Sequence, residues 1–94
     1  MSRPGFLYIM SNKNRTALYI GVTTDLERRV AEHRTGALDG FTKQYNLHDL
    51  IYFEHFTDVR DAIERETIVK KWSRSKKDKL IAASNPELRT LSFE

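Results

Sequence analysis

The stretch Phe6-Leu7-Tyr8-Ile9-Met10-Ser11-Asn12-Lys13-Asn14-Arg15-Thr16-Ala17-Leu18-Tyr19-Ile20-Gly21 decides the fold. Two apolar runs of strand length, each with a tyrosine near its middle, flank a polar, Asn-rich segment with turn chemistry. They predict an antiparallel hairpin. With Lys13-Asn14 as a two-residue loop, Tyr8 lies directly opposite Tyr19 and both point to the same face. A loop one residue longer shifts that pairing.

Outward from the hairpin, Thr24 and Glu27 form a capping box that starts a helix running to about Thr35, where Gly36 suits the stop. At 100° per residue, Leu26, Arg29, Val30 and His33 share one stripe, while Arg28 and Glu32 point elsewhere. An arginine and a histidine on an inward stripe need partners, because burying them unpaired costs a few kcal/mol. Residues 36–48 read as a long loop, with Lys43 on it and Phe41 as its anchor. Leu50-Ile51-Tyr52-Phe53-Glu54-His55-Phe56 reads as a third strand joining the hairpin.

Thr57-Asp58 cap a second helix to about Trp72. Its apolar arc gathers Val59, Ala62, Ile63, Val69 and Trp72, with Ile68 at the margin. Glu66 falls inside that arc and Glu64 outside it. Ser75 caps a third helix, Lys76 to about Ala83, with Leu80 and Ile81 inward, and Asn85-Pro86 ends it. The tail, with Leu88, Leu91 and Phe93, is expected to lie back on the body.

Ninety-four residues without repeats or a linker predict one small domain, 1–94, and the absence of cysteine excludes disulfides and thiolate metal sites. No apolar stretch reaches membrane-span length and the N-terminus lacks a signal-peptide apolar region, so a soluble cytoplasmic protein with no membrane partner is expected. The net charge is +3. It is unevenly spread: Arg65 to Lys79 holds seven basic residues against Glu66 and Asp78. Such an excess attracts a polyanion, or is simply a solvated helix face.

The odd residues are therefore two tyrosines, Arg29 and His33 on one inward stripe, and Glu66 on another. A lone carboxylate with waters suits Mg²⁺ or Mn²⁺. An arginine clamps phosphate by two-pronged hydrogen bonds. A tyrosine or histidine takes a proton from attacking water. These are parts for phosphodiester hydrolysis. Each has a plainer reading: tyrosines are ordinary strand residues, His33 is a packed core residue, and Arg29 and Glu66 pair with each other.

The hairpin followed by Tyr19-Ile20-Gly21-Val22-Thr23-Thr24-Asp25-Leu26-Glu27-Arg28-Arg29-Val30-Ala31-Glu32-His33 closely resembles the GIY-YIG nuclease superfamily. Tyr19-Ile20-Gly21 is the second half of the name motif verbatim. In the first half, Phe6-Leu7-Tyr8, only the tyrosine is kept. The resemblance covers nearly the whole chain and is closest to the small stand-alone UPF0213 group. It implies an α+β fold, a small three-stranded antiparallel sheet flanked by about three helices. It implies catalytic Tyr8, Tyr19, Arg29 and His33, one divalent ion, Mg²⁺ or Mn²⁺, on Glu66, and site roles for Gly21 and Asn85.

In that scheme Arg29 stabilises the extra charge on the phosphate, and Tyr19, favoured over Tyr8, accepts the water's proton. Free tyrosine has a pKa near ~10, so only about one in a thousand is phenolate at neutral pH. Some relatives carry a lysine after the Tyr-Ile-Gly motif, where this chain has Val22.

The expectation is a metal-dependent DNA endonuclease of the kind used in repair or recombination. Lys43, Lys70, Lys71, Arg74, Lys76 and Lys77 would track the backbone of branched, nicked or single-stranded DNA, alone or with a protein partner. A second expectation is a nucleic-acid-binding module on the same fold with weak or no catalysis. A third is a scaffold whose basic face docks an acidic protein. Oligomeric state has no signature in the sequence.

Overall fold

The computed structural model describes residues 3–37 and 40–92, without the side chain of Phe41. The anchoring role expected of Phe41 and the packing expected of Phe93 lie outside the described residues. The elements run β1 (Gly5–Ser11), β2 (Leu18–Thr23), α1 (Leu26–Thr35), α2 (Phe41–Gln44), β3 (Asp49–Phe56), α3 (Val59–Lys70) and α4 (Arg74–Ala82). The sheet is antiparallel in the order β2-β1-β3, so the first strand is central. This is the expected α+β architecture with four helices among the described residues rather than three.

Alternation along the strands gives the sheet two dressed faces. Tyr8 and Met10 pack with Leu26 and Val30 of α1 and with Leu47 and Leu50. Leu7, Ile9 and Ile20 pack with Ile51, Tyr52, Val69 of α3 and Ile81 of α4. A bulge where Ile9 pairs with Tyr52 and Met10 with Leu50 lets Ile51 and Tyr52 both join the second cluster. Each face buries its own core, and Tyr8, Tyr19, Arg29 and His33 belong to the α1 face.

The hairpin register differs from the two-residue-loop expectation. Tyr8 pairs with Gly21 and Tyr19 with Met10, so the connection is Asn12–Ala17. The reason is loop chemistry. Asn12 Oδ1 accepts from the backbone N–H of Thr16 and of Ala17. Arg15 sits at φ 59, in the left-handed region. Its guanidinium holds that geometry by donating to Asp49 at 2.6 Å and to the Leu88 carbonyl at 3.0 Å. The shift is by two residues in total, so both tyrosines stay on one face.

Three helix starts or stops also differ. Asp25, not Thr24, caps α1, its side chain accepting from Arg28 N–H at 3.1 Å. Gly36 ends that helix at φ 72, as expected. Asp58 caps α3, which stops at Lys70 rather than Trp72, and Ser73, not Ser75, caps α4. Residues 36–48 contain α2, and among the described residues there Thr42 and Leu47 are buried.

The apolar arc of α3 is narrower than expected. Ala62 and Val69 are buried, but Ile63 and Ile68 are 50% and 46% exposed. The tail does lie back: Leu91 N–H donates to the Leu50 carbonyl at 2.8 Å. Leu88 packs against one core and Leu91 against the other. Among the described residues no helix is long and apolar enough to cross a membrane.

Candidate functional site

Across the α1 face the strands line up Gly21, Tyr8 and Phe53 in one row and Thr23, Phe6 and His55 in the next. The Tyr8 ring lies over Gly21. A Cβ on Gly21 would stand 2.6 Å from Tyr8 Oη, 2.7 Å from its Cζ and 2.9 Å from Tyr19 Cε1. Only glycine leaves that space, which is the physical content of the glycine in Tyr19-Ile20-Gly21.

The α1 stripe then delivers His33 onto both tyrosines. His33 is 2% exposed, and its Nε2 shares a hydrogen bond with Tyr8 Oη at 3.1 Å. Ring centroids stand 5.6 Å apart for Tyr8 and His33, 5.3 Å for Tyr19 and His33, and 6.1 Å for the two tyrosines. Tyr8 is fully buried and Tyr19 half-buried. The three rings expected from sequence are therefore brought together.

Burial sets their proton affinities. It lowers the His33 pKa to about 4, with the Arg29 charge pushing the same way, Glu32 opposing and His48 adding a little. His33 is neutral at pH 7. Burial also lifts Tyr8 well above the ordinary tyrosine range, assisted by Tyr19 and opposed by the Arg29 guanidinium. Tyr8 thus keeps its proton. One atom is left over: among the described residues, Nδ1 of His33 is buried and has no hydrogen-bond partner. Such an orphan ordinarily costs about 1–3 kcal/mol.

Arg29 is half-buried beside this cluster and pairs with Glu32 at 3.1 Å. Arg28 reaches Glu32 at 3.9 Å from the exposed side. Both arginines, with Thr23, Thr24, Asp25 and Glu32, line an open cleft of about 210 Å³. Periodicity set Arg28 aside as outward-pointing. It is exposed, yet its side chain helps wall the cleft, which a helical wheel does not show.

Glu66 comes from the other face. Helix α3 packs across β1 and β2 on the side of Leu7, Ile9 and Ile20. Glu66 pairs with Lys70 at 3.4 Å, its side chain 22% exposed. The plainer reading of an Arg29–Glu66 ion pair is thereby replaced by two separate pairs, Arg29–Glu32 and Glu66–Lys70. Among the described residues no group of three or more His, Cys, Asp or Glu side chains could hold a metal. Glu66 offers a lone carboxylate, which suits a hard ion that keeps most of its waters.

The other expected residues divide. Asn85 is buried, and its amide donates to the carbonyls of Ile51 and Arg89 and accepts from Arg89 N–H. Those bonds make it a brace between the tail and β3, away from the ring cluster. Arg74 is committed too, to Asp78 and to the Thr16 and Arg15 carbonyls. Lys76 lies over the Trp72 ring at 4.3 Å. Lys71 is exposed at the end of α3, and Lys43 is exposed near the end of α2. The basic run therefore decorates α3 and α4, on the sheet face opposite the tyrosines.

One network escaped the sequence reading. Tyr52 donates to Glu54 at 2.5 Å, and Arg65 grips the same carboxylate at 3.0 and 3.1 Å. The Arg65 guanidinium also lies 5.2 Å from the Trp72 ring centroid. The available signal was Glu54 two residues from Tyr52, hence on the same side of a strand otherwise apolar and aromatic.

Residues 4–79 match the family described as the GIY-YIG catalytic domain. The chain is 38% identical over 82 residues to a UPF0213 protein of Natronomonas pharaonis, covering 87% of this chain and 95% of that one. It is 35% identical over 80 residues to a UPF0213 protein of Clostridium perfringens, covering 85% of each. The solution NMR structure of a UPF0213 protein from Bacillus halodurans superposes with a TM-score of 0.58 at 28% identity, covering 89% of this chain and 88% of that one.

Proposed function

From the premise that the chain belongs to the GIY-YIG catalytic domain family, and to its UPF0213 group, we propose that it is a divalent-metal-dependent endonuclease acting on DNA phosphodiesters. The observation that carries this reading is the packing of Tyr8, Tyr19 and His33 around Gly21, with Arg29 and its open cleft alongside.

Arg29, with Arg28, binds the phosphate and neutralises the charge that grows on it in the transition state. Tyr8 is buried with its proton held, so it acts as a hydrogen-bonded strut with His33. Tyr19, the half-buried ring, is left to receive the proton of the attacking water, which it does as phenolate once its own proton has passed to solvent. Neutral His33 packs its tilted ring against Tyr19 and sets its orientation. A single Mg²⁺ or Mn²⁺ held by Glu66 would supply Lewis-acid polarisation of the phosphate. Strand β2 links the two halves of this scheme, presenting Tyr19 on one side while α3 packs on the other. Lys71 and Lys43 add positive charge for the backbone of the strand.

The test is nicking of supercoiled plasmid with Mg²⁺, Mn²⁺ or chelator, beside folded Tyr19→Phe, Arg29→Ala and Glu66→Ala variants. Metal-dependent nicking reduced roughly 10²–10⁴-fold by Tyr19→Phe is expected. Arg29→Ala and Glu66→Ala should abolish it. Nicking that survives Glu66→Ala would overturn the metal assignment. DNA binding without nicking on plasmid, branched or single-stranded substrates would leave a binding module.

A further inference from the structure

The Arg28–Arg29 cleft has a neighbour of opposite character. Phe6, Leu26 and Phe53, with Thr24, Asp25 and Glu27, line an open cleft of about 320 Å³. The two clefts share Thr24 and Asp25, so they adjoin at the start of α1. Phe53 stands beside Tyr8 in the sheet and is 42% exposed, although it is a large aromatic on a strand. Phe6 meets it edge-on, with centroids 6.3 Å apart at 63°, and His55 tilts against Phe6 at 5.0 Å. Nothing in the catalytic scheme uses these rings.

We infer that the Phe6–Phe53 cleft is a stacking subsite for one unpaired nucleobase, the neighbouring phosphate of the same strand lying in the Arg28–Arg29 cleft. The inference deepens the nucleic-acid reading above and rests on it. Three observations choose this occupant. The chemistry is divided as in a nucleotide: two guanidinium groups, sharing Glu32 as a counter-charge, wall one cleft, and aromatic rings line the other. Among the described residues no lysine or arginine lines the aromatic cleft and the Glu27 carboxylate rims it, which disfavours a phosphate there and offers an acceptor to the exocyclic amino groups of bases. The cleft also lies at the lower end of the size range of small-ligand sites, fitting one ring system rather than a peptide. A base within a duplex has both faces covered by its neighbours, so only an unpaired base can occupy the cleft. The subsite would thus favour single-stranded or locally opened substrates over intact duplex.

The experiment measures binding in chelator, where cleavage cannot contribute. A short single strand carrying 2-aminopurine, and its duplex, are titrated with the wild-type chain, Phe53→Ala and Phe53→Tyr. Quenching of 2-aminopurine by the wild type is expected on the single strand. Phe53→Ala should bind the single strand roughly 10-fold more weakly, with the quenching lost. Phe53→Tyr should restore both, and duplex affinity should stay nearly level across the three. Phe53 is half in solvent, and circular dichroism checks that each variant is folded. Unchanged affinity and quenching in Phe53→Ala would overturn the subsite, as would equal losses on single strand and duplex. Failed plasmid nicking leaves this assay readable. Failure of the wild type to bind either form would remove the nucleic-acid reading and the subsite together.

Discussion

The two faces of the sheet each bury a tyrosine in a polar network, and the networks end differently. On the α3 face Tyr52 donates to Glu54, Arg65 closes on the same carboxylate, and Arg65 lies over Trp72. Burial and the Glu54 carboxylate both push the Tyr52 pKa upward, and Glu54 in turn raises that of Arg65. Every group in that set has a partner. On the α1 face Tyr8 is bonded to His33, but His33 Nδ1 is left over, buried without a partner among the described residues, and Arg29 beside the cluster lines an open cleft. A closed network converts polar groups into rigidity. An open one keeps an unpaired group in the interior, an imbalance that asks for a reason beyond rigidity.

That contrast can be broken by mutation, most forcefully at Gly21. A methyl group there meets the Tyr8 hydroxyl at 2.6 Å, against a buried ring that has no flexible end to yield. Gly21→Ala should cost about 3 kcal/mol, the upper end of overpacking penalties. In a domain of this size that lowers the melting temperature by roughly 12–20 °C. If thermal denaturation shows no loss, the ring does not rest on Gly21 and the α1-face site is wrongly built.

The next effect is a pH dependence with a definite sign. His33 has a folded pKa of about 4 against an unfolded value near 6.5. Between those values the unfolded chain binds the proton and the folded chain does not. Stability contributed by neutral His33 is therefore present above pH 6.5 and lost as pH falls toward 4. From pH 7 to pH 5 the loss should be about 2 kcal/mol by urea titration. His33→Gln should flatten that stretch of the profile. A wild-type profile already flat there would show that His33 carries no desolvation cost.

The smallest effect belongs to the closed network. Glu54→Gln leaves an acceptor for Tyr52 but removes the charge facing Arg65, whose side chain is partly exposed. A loss of about 1.5 kcal/mol is expected, below that of a fully buried pair. Plasmid nicking per folded molecule should be unchanged, which separates bracing from chemistry. A nicking loss out of proportion to stability would make the Tyr52–Glu54–Arg65 network part of the site.

Much of the site was legible because helical and strand periods place side chains on faces without any knowledge of partners. Arg29, Val30 and His33 fell on one stripe, and both tyrosines on one face, by counting alone. Resemblance then attached roles to them. The partners were not legible. Arg29 pairs with Glu32 along its own helix, and Glu66 with Lys70. Both are i,i+3 or i,i+4 choices open to many pairs of charges on one helix. Nor was the exposure of Ile63 and Ile68, because a helix crossing a three-stranded sheet buries only a narrow stripe and hydropathy does not report its width.

The sequence by itself determined the antiparallel hairpin, the third strand, the three longer helices and the inward placing of Arg29, His33 and Glu66, since these follow from local periodicity. The tertiary structure decided the hairpin register, because Arg15 takes its left-handed conformation only while Asp49 and Leu88, far along the chain, hold its guanidinium. It also decided that the tyrosines and the helix carrying Glu66 lie on opposite faces of one sheet, and that an aromatic cleft opens beside the arginines. Those outcomes depend on which elements pack against which, and long-range packing leaves no period in the chain to read.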